Sequence, residues 1–297
     1  MKNGSLLINT SDLLPRREQA LDPRPVAEWL RDRKVAVTGA GGSIGSELSR
    51  QLGAYPVKML TLIENNEHAL YQIGRELPHA REKFGCVRDL SRMNELLNDQ
   101  DVVFHAAAMK HVPLCEQNKA EANETNIRGT ANIFKATGAS CRVVLVSTDK
   151  AVNPTSHMGK TKRHAEILAR SSGRAAVVRF GNVIGSSGSV VPLFKEQIAA
   201  GGPVTITDRR MTRYFMSIAE ASELVLQAGA QGVGTYVLDM GEPVRIATLV
   251  EEMIRLSGRR DVRVVETGIR PGEKLFEELS DGELVETGVP GLRRVVE

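Results

Sequence analysis

Short apolar runs alternate with longer amphipathic stretches along most of the chain. The runs at residues 34–38, 59–64, 102–104, 143–146 and 176–180 are apolar with little polar alternation. Such runs are typical of strands buried on both faces of a parallel sheet. A further strand is predicted to close at residues 87–90. The pattern predicts an α/β fold with a Rossmann-type doubly wound parallel sheet.

Beyond residue 200 the predicted elements become shorter. A strand is predicted at residues 204–207, a helix at 218–228, a strand and turn at 236–241 and a helix at 247–257. We expect a smaller C-terminal α/β substrate-binding lobe. The predicted division is an N-terminal arm or linker at 1–30 with a short helix at 26–31, a mainly Rossmann domain at 31–200, and mainly the lobe at 201–297, with strand returns between the two. Residues 285–297 receive no assignment.

Composition narrows the function classes. The chain has 297 residues, of which 41% are hydrophobic and 25% charged, as in ordinary globular proteins. Its net charge of +3 is small and its basic residues are scattered along the chain, and both observations argue against nucleic-acid binding. The three cysteines, Cys86, Cys115 and Cys141, are far apart, which favours a reducing compartment and argues against a metal site.

Membrane contact is not expected from the chain itself. No apolar run approaches the length of about 18 residues that spans a bilayer, and residues 1–8 are too short for a signal peptide. The sequence therefore predicts a cytoplasmic chain.

A glycine-rich loop follows the first strand and precedes a helix predicted at residues 46–52. Glycines there allow a tight turn, and the amides of the helix can hold a pyrophosphate. Glu64 ends the second strand about 20 residues later, where a carboxylate accepts hydrogen bonds from ribose hydroxyls and repels a 2′-phosphate. This favours NAD over NADP, although Asn65 and Asn66 could tolerate either, and Glu64 could instead cap the helix near Asn66. The loop residues are Gly39, Gly42, Ser43, Ile44 and Gly45.

Polar residues follow the strand at 143–146, where open α/β sheets bind ligands. Thr148, Asp149 and Lys150 come first, and a helical pattern from residue 161 places Met158 and Lys162 one turn apart on one side. An acid with two amines can move protons beside a cofactor. The residues alone leave open an ordinary surface turn closed by residues 153–154.

These motifs resemble the extended short-chain dehydrogenases, specifically the nucleotide-sugar 4,6-dehydratases that act on UDP-N-acetylglucosamine. Most of that superfamily carries Tyr-x-x-x-Lys, whereas this chain has Met158 four residues before Lys162. The chain is thus similar to the Met-containing branch, the catalytic domains of polysaccharide biosynthesis proteins, over residues 26–279. The resemblance implies either a short natural protein or the cytosolic catalytic part of a membrane-anchored one.

The resemblance also implies roles for residues elsewhere. Asp89 would contact the adenine amino group, Asn126 would steady a helix beside the cofactor, Arg270 would grip the diphosphate and Glu273 the uridine ribose. The further cofactor residues that it implies are Leu90, Ala106, Ala107, Ala108, Lys110 and Lys162, and the substrate residues are Lys110, His111, Asn182, Ser189, Val190, Arg213, Arg270 and Glu273.

The implied reaction is a lyase reaction on a UDP-N-acetylhexosamine, with bound NAD used catalytically. Lys150 would abstract the C5 proton, Asp149 would protonate the departing C6 hydroxyl, and Thr148 would bind the C4 oxygen. Lys162 would hold the nicotinamide ribose. Met158 cannot move a proton as a tyrosine can, so the C4 hydroxyl proton would pass to Asp149 or through water.

Two other functions remain open at this stage. A UDP-sugar 4-epimerase shares the cofactor apparatus but needs no acid and amine at C5 and C6. A catalytically silent NAD-binding regulator or scaffold would explain the missing tyrosine. We expect a homo-oligomer, and we expect His105 and His111 to have structural roles because no partner ligands lie at a metal-binding spacing.

Overall fold

The computed structural model describes Leu13 and residues 19–259 and 261–296. Most of the predicted arm, including the stretch 1–8 considered as a signal peptide, lies outside the described residues. The predicted short helix at 26–31 is present at Arg24–Leu30. Among the described residues, no helix is both long and apolar enough to cross a membrane.

The described residues contain eleven α-helices and fifteen strands. The helices are α1 (Arg24–Leu30), α2 (Ser43–Leu52), α3 (Glu67–Glu76), α4 (Leu90–Leu97), α5 (Val112–Gln117), α6 (Lys119–Asn123), α7 (Gly129–Ala136), α8 (His157–Ser171), α9 (Val190–Ala199), α10 (Ile218–Gln231) and α11 (Ile246–Leu256). The strands are β1 (Lys34–Thr38), β2 (Met59–Glu64), β3 (Arg81–Phe84), β4 (Val102–His105), β5 (Arg142–Val146), β6 (Ala175–Arg179), β7 (Asn182–Val183), β8 (Val204–Ile206), β9 (Thr212–Arg213), β10 (Phe215–Met216), β11 (Gly234–Leu238), β12 (Val244–Arg245), β13 (Val264–Glu266), β14 (Leu284–Glu286) and β15 (Leu292–Val295).

Nine of the described strands form one sheet in the order β3-β2-β1-β4-β5-β6-β11-β15-β14. Neighbouring strands from β3 to β11 pair in parallel, whereas β15 is antiparallel to both β11 and β14. The strand order reverses between β1 and β4, which is the arrangement of a doubly wound fold. The predicted Rossmann-type sheet is confirmed.

Alternate residues of the central strands bury themselves on opposite faces of the sheet. In β1, Val35 and Val37 pack in a core with α1, α2 and α10, while Ala36 packs in a second core with α4 and α7. All three side chains are fully buried. Because both faces are covered by helices, these strands carry no polar alternation, which explains the continuous apolar runs.

A separate hydrophobic core lies under the C-terminal part of the chain. Its buried side chains come mainly from α9, β8 and α11, including Phe194, Val204 and Val250. Strands β8 and β13 pair in parallel beside it. Helix α9 precedes residue 200, so this second core begins earlier than the predicted lobe. The division into domains itself stays a prediction.

Three predicted elements differ from the structure. The strand predicted to close at residues 87–90 is wrong, because β3 ends at Phe84; its four residues are exposed and polar or charged apart from Phe84, so no apolar run marks it. Helices α2 and α8 begin at Ser43 and His157, three and four residues before the predicted starts. Strands β14 and β15, in the stretch that received no assignment, complete the sheet edge.

Buried charges join α8, β6 and the segment before β14. The Arg179 guanidinium donates to Glu166 Oε1 at 2.9 Å and Oε2 at 2.7 Å, and to Asp281 Oδ1 at 2.7 Å. Arg163 lies 2.7 Å from the other oxygen of Asp281. We call Glu166, Arg179, Asp281 and Arg163 the ion-pair cluster. Glu166 and Arg179 are almost completely buried, so their bidentate pair supplies most of the charge compensation for Glu166, with the guanidinium groups of Arg163 and Arg170 each 3.6 Å away.

Replacing one member of the cluster tests that dependence. We expect Arg179→Met to lower the free energy of unfolding by about 3–5 kcal/mol, because it leaves the Glu166 carboxylate buried without its bidentate partner. The double variant Arg179→Met/Glu166→Leu should lose clearly less free energy of unfolding than the single variant, because the fully buried carboxylate is then removed together with its bidentate partner. Urea denaturation of the single variants Arg179→Met and Glu166→Leu and of the double variant gives a double-mutant cycle. If the losses of the two single variants simply add up to the loss of the double variant, the prediction is contradicted.

Candidate active site

A cleft of about 1050 Å³ opens at the carboxyl ends of β1, β2, β4, β5 and β6. It lies at the edge of the sheet where the strand order reverses, as is typical of ligand sites in open α/β folds. It brings together many of the predicted residues: Gly39, Gly42, Ser43, Ile44, Gly45, Glu64, Ala106, Ala107, Ala108, Lys110, His111, Thr148, Lys150, Met158, Lys162, Asn182 and Ser189 all line it.

The glycine loop leaves space for hydrogen atoms only. Gly39 has φ +69°, and a Cβ there would lie 2.7 Å from the backbone of Ala107. A Cβ on Gly45 would lie 2.0 Å from the carbonyl oxygen of Gly39. The turn after β1, the first turn of α2 and the small-residue turn after β4 therefore pack with their backbones in contact, which leaves the amides at the start of α2 facing the cleft.

The Glu64 carboxylate is fixed by three backbone amides. Its Oε2 accepts from Gly41 at 3.0 Å, and its Oε1 accepts from Asn65 at 2.8 Å and Asn66 at 3.0 Å. The alternative in which Glu64 caps the following helix is wrong, because the Asn66 side chain caps α3 by accepting from the Ala69 amide at 2.9 Å. Glu64 thus presents a fixed negative charge at the wall of the cleft.

Asp89 has a different position from the one predicted. Its Oδ1 accepts from the Arg92 amide at 3.0 Å and caps α4, and its side chain is exposed. Among the residues that the structure describes, Val87 and Arg88 line the cleft, and Asp89 and Leu90 do not. The adenine contact implied for Asp89 therefore has no support in its position.

Asn126 is buried behind the residues that line the cleft. Its side-chain amide binds both the N–H (2.8 Å) and the C=O (2.9 Å) of Met109, and donates to Thr161 Oγ1 at 2.9 Å. It lies in a π-helical turn at Glu124–Arg128. This fixes the segment that carries Lys110 and His111 against α8. Burial lowers the pKa of the Lys110 amine, and burial together with Lys110 lowers that of His111.

His105 lies below the cleft with both ring nitrogens bound to hydroxyls. Nδ1 is 2.8 Å from Thr38 Oγ1 and Nε2 is 3.0 Å from Thr130 Oγ1. Burial lowers the pKa of His105 to about 3, and the nearby Lys162 contributes. The ring is therefore neutral at neutral pH and links three elements of the sheet and its helices. Across the described ranges, no group of three or more His, Cys, Asp or Glu side chains is arranged to hold a metal ion.

A short 3₁₀ turn at Asp149–Ala151 follows β5, and Thr148 is its N-cap. Asp149 Oδ1 accepts from Thr148 Oγ1 at 2.8 Å and from Lys150 Nζ at 3.0 Å. Asp149 is fully buried, and its Oδ2 has no hydrogen-bond partner among the described residues. The alternative of an exposed surface turn is wrong for this reason. An unpaired buried carboxylate oxygen is costly in a purely structural role.

Met158 and Lys162 lie one turn apart on α8 and both line the cleft. Met158 packs with Cys115 and Ala122 in a small apolar cluster. Lys162 Nζ donates to the Val146 carbonyl oxygen at 2.6 Å. Burial lowers the pKa of Lys162 to about 8, although the charge of Glu166 opposes the shift.

The predicted substrate residues divide into two groups. Asn182 and Ser189 line the cleft, whereas the described part of the chain places Val190, Arg213, Arg270 and Glu273 outside its lining. Arg213 is buried and donates to the Lys274 carbonyl oxygen at 2.9 Å, so it holds the turn that carries the last two. Arg270 is exposed.

Glu277 is the site residue that sequence reasoning missed. Its Oε1 lies 3.6 Å from Lys150 Nζ, and its side chain is 3% exposed. The neighbouring turn pointed to this part of the chain, but no periodicity or spacing marked Glu277 itself.

Comparison with known proteins gives a consistent family assignment. Residues 35–290 match the polysaccharide biosynthesis protein family. The chain is 47% identical to the capsular polysaccharide biosynthesis protein CapD of Staphylococcus aureus over 93% of this chain and 50% of CapD. It thus spans about half the length of that relative.

Two further proteins match this chain over a larger share of their own length. A UDP-glucose 4-epimerase of Rickettsia rickettsii is 35% identical over 85% of this chain and 79% of its own length. The X-ray structure of Pen from Bacillus thuringiensis superposes with a TM-score of 0.80 and 35% identity, covering 84% of each chain.

The low pKa of Lys162 predicts a specific pH dependence of stability. Between the folded pKa of about 8 and the ordinary lysine pKa of 10.5, the folded protein binds fewer protons at this site than the unfolded chain. The cost of burying the charged Lys162 amine should therefore be constant below about pH 8 and decrease as the pH rises above it, so that the folded protein gains stability there.

Urea denaturation of the wild type and Lys162→Met checks this. The wild type should gain about 2 kcal/mol relative to the variant between about pH 8 and 9.5. Lys160→Met, which changes an exposed lysine on the same helix, is the control and should show no such trend. An unchanged difference between wild type and Lys162→Met would contradict the shifted pKa.

Proposed function

Because the chain belongs to the polysaccharide biosynthesis protein family, we propose that it is an NAD-dependent 4,6-dehydratase that converts UDP-N-acetylglucosamine to a UDP-4-keto-6-deoxy sugar. The observation that carries this proposal is the Asp149–Lys150 pair. Lys150 lines the cleft, as Lys162 does, and its amine donates at 3.0 Å to the carboxylate of Asp149, which is buried directly behind the lining. This is the equipment for removing a proton and a hydroxyl from adjacent carbons.

The cleft fits NAD on its own geometry. A pyrophosphate would lie against the amides at the start of α2, where Gly39, Gly42 and Gly45 leave room for it. Glu64 would accept from the ribose hydroxyls, and its fixed charge opposes a 2′-phosphate, which favours NAD over NADP. When bound, NAD supplies the acceptor for the sugar C4 hydride and returns the hydride to C6.

The chain's own residues perform the proton chemistry in this proposal. Lys150 takes the proton from C5, and Asp149 protonates the C6 hydroxyl as the C6–O bond breaks, so that one water leaves. Lys150 then returns its proton to C5 when C6 is reduced. Thr148 hydrogen-bonds the C4 oxygen, and Lys162 orients the nicotinamide ribose and adds positive potential. Met158 neither donates nor accepts a proton, so the C4 hydroxyl proton passes to Asp149 or to water.

A UDP-sugar 4-epimerase is the second candidate. The 35% identity to a protein named UDP-glucose 4-epimerase, over most of both chains, favours it. An epimerase needs proton transfer at C4 only, and the buried Asp149–Lys150 pair would then have no reaction at C5 and C6 to perform. A silent cofactor-binding scaffold is the third outcome, and it would form neither product.

Two further features belong to the same proposal. A cytoplasmic location suits an enzyme that acts on nucleotide sugars. A homo-oligomer suits a doubly wound domain with helices along the sheet, and the mass in solution by light scattering tests it.

One assay separates the three functions. With UDP-N-acetylglucosamine, mass spectrometry should detect the loss of one water; isomerisation without a mass change would indicate the epimerase, and no reaction the scaffold. Lys150→Ala should lower turnover at least about 100-fold, because the C5 proton then has no base. Lys160→Ala, which removes an exposed amine from α8, is the control. Undiminished turnover of Lys150→Ala would remove Lys150 from the base role.

A second experiment tests the cofactor site without catalysis. Gly45→Ala forces a methyl group against the Gly39 carbonyl oxygen, 2.0 Å away, so the phosphate-binding turn must shift. We expect NAD affinity, measured by calorimetry, to fall at least about tenfold, equivalent to 1.4 kcal/mol. Gly138→Ala is the matched control, because a Cβ there has no neighbour within 4 Å among the described residues. If Gly45→Ala and Gly138→Ala bind NAD with equal affinity, the cofactor does not bind at this turn.

A further inference from the structure

A second carboxylate, Glu277, lies beside the amine of Lys150. It comes from the segment between β13 and β14, about 130 residues along the chain from Lys150. Neighbouring contacts hold this segment against the turn after β5: Lys274 Nζ donates to the Val152 carbonyl oxygen at 3.0 Å, and Asn153 Nδ2 donates to Glu278 at 2.7 Å. Glu277 is therefore brought to the site by tertiary packing.

Three oxygens surround the Lys150 nitrogen. Asp149 Oδ1 lies at 3.0 Å, Asn182 Oδ1 at 3.3 Å and Glu277 Oε1 at 3.6 Å. A lysine ammonium has three hydrogens and no lone pair. Two of these oxygens accept hydrogen bonds from the amine, and the third, on Glu277, is an ion-pair partner. Lys150 must therefore lose a proton before its nitrogen can accept one from a substrate carbon.

Glu277 is suited to accept that proton. Its Oε2 is buried and has no hydrogen-bond partner among the residues described. Burial raises the pKa of Glu277; the charge of Lys150 opposes the shift and that of Asp149 adds to it. Arg213, 3.9 Å away, and Lys274 also oppose it. Two carboxylates that share one ammonium in a buried site disfavour the state in which both are ionised.

We infer that Glu277 is a positioning residue that holds Lys150 and takes up the proton that Lys150 must lose before it acts as a base. In this step an Nζ–H bond of Lys150 breaks, an O–H bond forms on Glu277, and the freed lone pair on Nζ accepts the substrate proton. No electrons are transferred, and the proton for the leaving hydroxyl comes separately through Asp149. The role as stated rests on the proposed dehydratase function.

Turnover as a function of pH gives the first test. Glu277→Gln keeps the shape of the side chain and removes the proton acceptor. We expect kcat to fall roughly 10- to 100-fold at neutral pH while KM changes less than about twofold, because Glu277 does not line the cleft. The deficit should shrink as pH rises, since hydroxide can then deprotonate Lys150. Glu277→Asp should restore part of the rate.

Glu283→Gln is the matched control, because it makes the same change at an exposed carboxylate of the same segment; it should behave as the wild type does. A deficit of Glu277→Gln that is constant with pH would indicate a packing role and overturn the inference.

Labelling of Lys150 gives a test that does not need turnover. Acetic anhydride reacts with neutral amines, and Lys150 is 20% exposed at the cleft. In the wild type the labelling rate should be nearly constant between about pH 6.5 and 8.5, because the pair shares one proton. In Glu277→Gln it should rise about tenfold per pH unit, as for a single titrating amine. Lys83, which is exposed, reports the reagent.

The two experiments separate the inference from the proposed function. If the wild type forms no keto sugar but the labelling profiles differ as expected, the dehydratase proposal fails and the proton exchange between Glu277 and Lys150 stands. If the wild type forms the product and both proteins label with the same pH profile, the inference is overturned and the dehydratase proposal stands.

Discussion

The geometry of the site depends on the hydrogen bonds and ion pairs of the Glu166 carboxylate. It is completely buried, and its Oε1 accepts from Ser147 Oγ at 2.6 Å as well as from Arg179. Ser147 begins the turn that carries Asp149, and Glu166 lies one turn beyond Lys162 on α8. Through Arg179 and Asp281 the same cluster holds the segment that contains Glu277. One buried charge thus fixes three segments that are distant in sequence, because leaving it unpaired would cost several kcal/mol.

Burial also explains why the cleft holds groups that can exchange protons near neutral pH. Removing charge from water disfavours the ionised form of both acids and amines. It lowers the pKa of Lys162 to about 8 and raises that of Glu277. The pKa values of the acid and the amine are therefore closer together than in water, where they differ by about six units. A site that only stabilised the fold would gain nothing from such groups.

The sequence predicted the fold well where both faces of a strand are covered. β1 and β2 were predicted to the residue, because each has a mostly apolar, buried run between polar neighbours. It failed at the sheet edges, where β3 is exposed and β14 is largely so, and pairing rather than burial forms the strand. The same holds for the candidate site. Residues just past buried strands were predicted from the sequence, whereas Glu277 reaches Lys150 through long-range packing, which leaves no local sequence pattern.

Met158 shows what the loss of a phenol requires of its surroundings. Its thioether packs with Cys115 and Ala122 and cannot carry a proton. A hydroxyl there would need a partner, whereas a methionine fills the space and keeps water from that side of the cleft. In the proposed dehydratase, proton exchange then falls to groups after β5. The acid in that proposal is Asp149, which has one oxygen bound by Thr148 and Lys150 and the other without a hydrogen-bond partner among the described residues. The apolar residue on α8 and the unpaired carboxylate after β5 are thus two halves of one chemical arrangement.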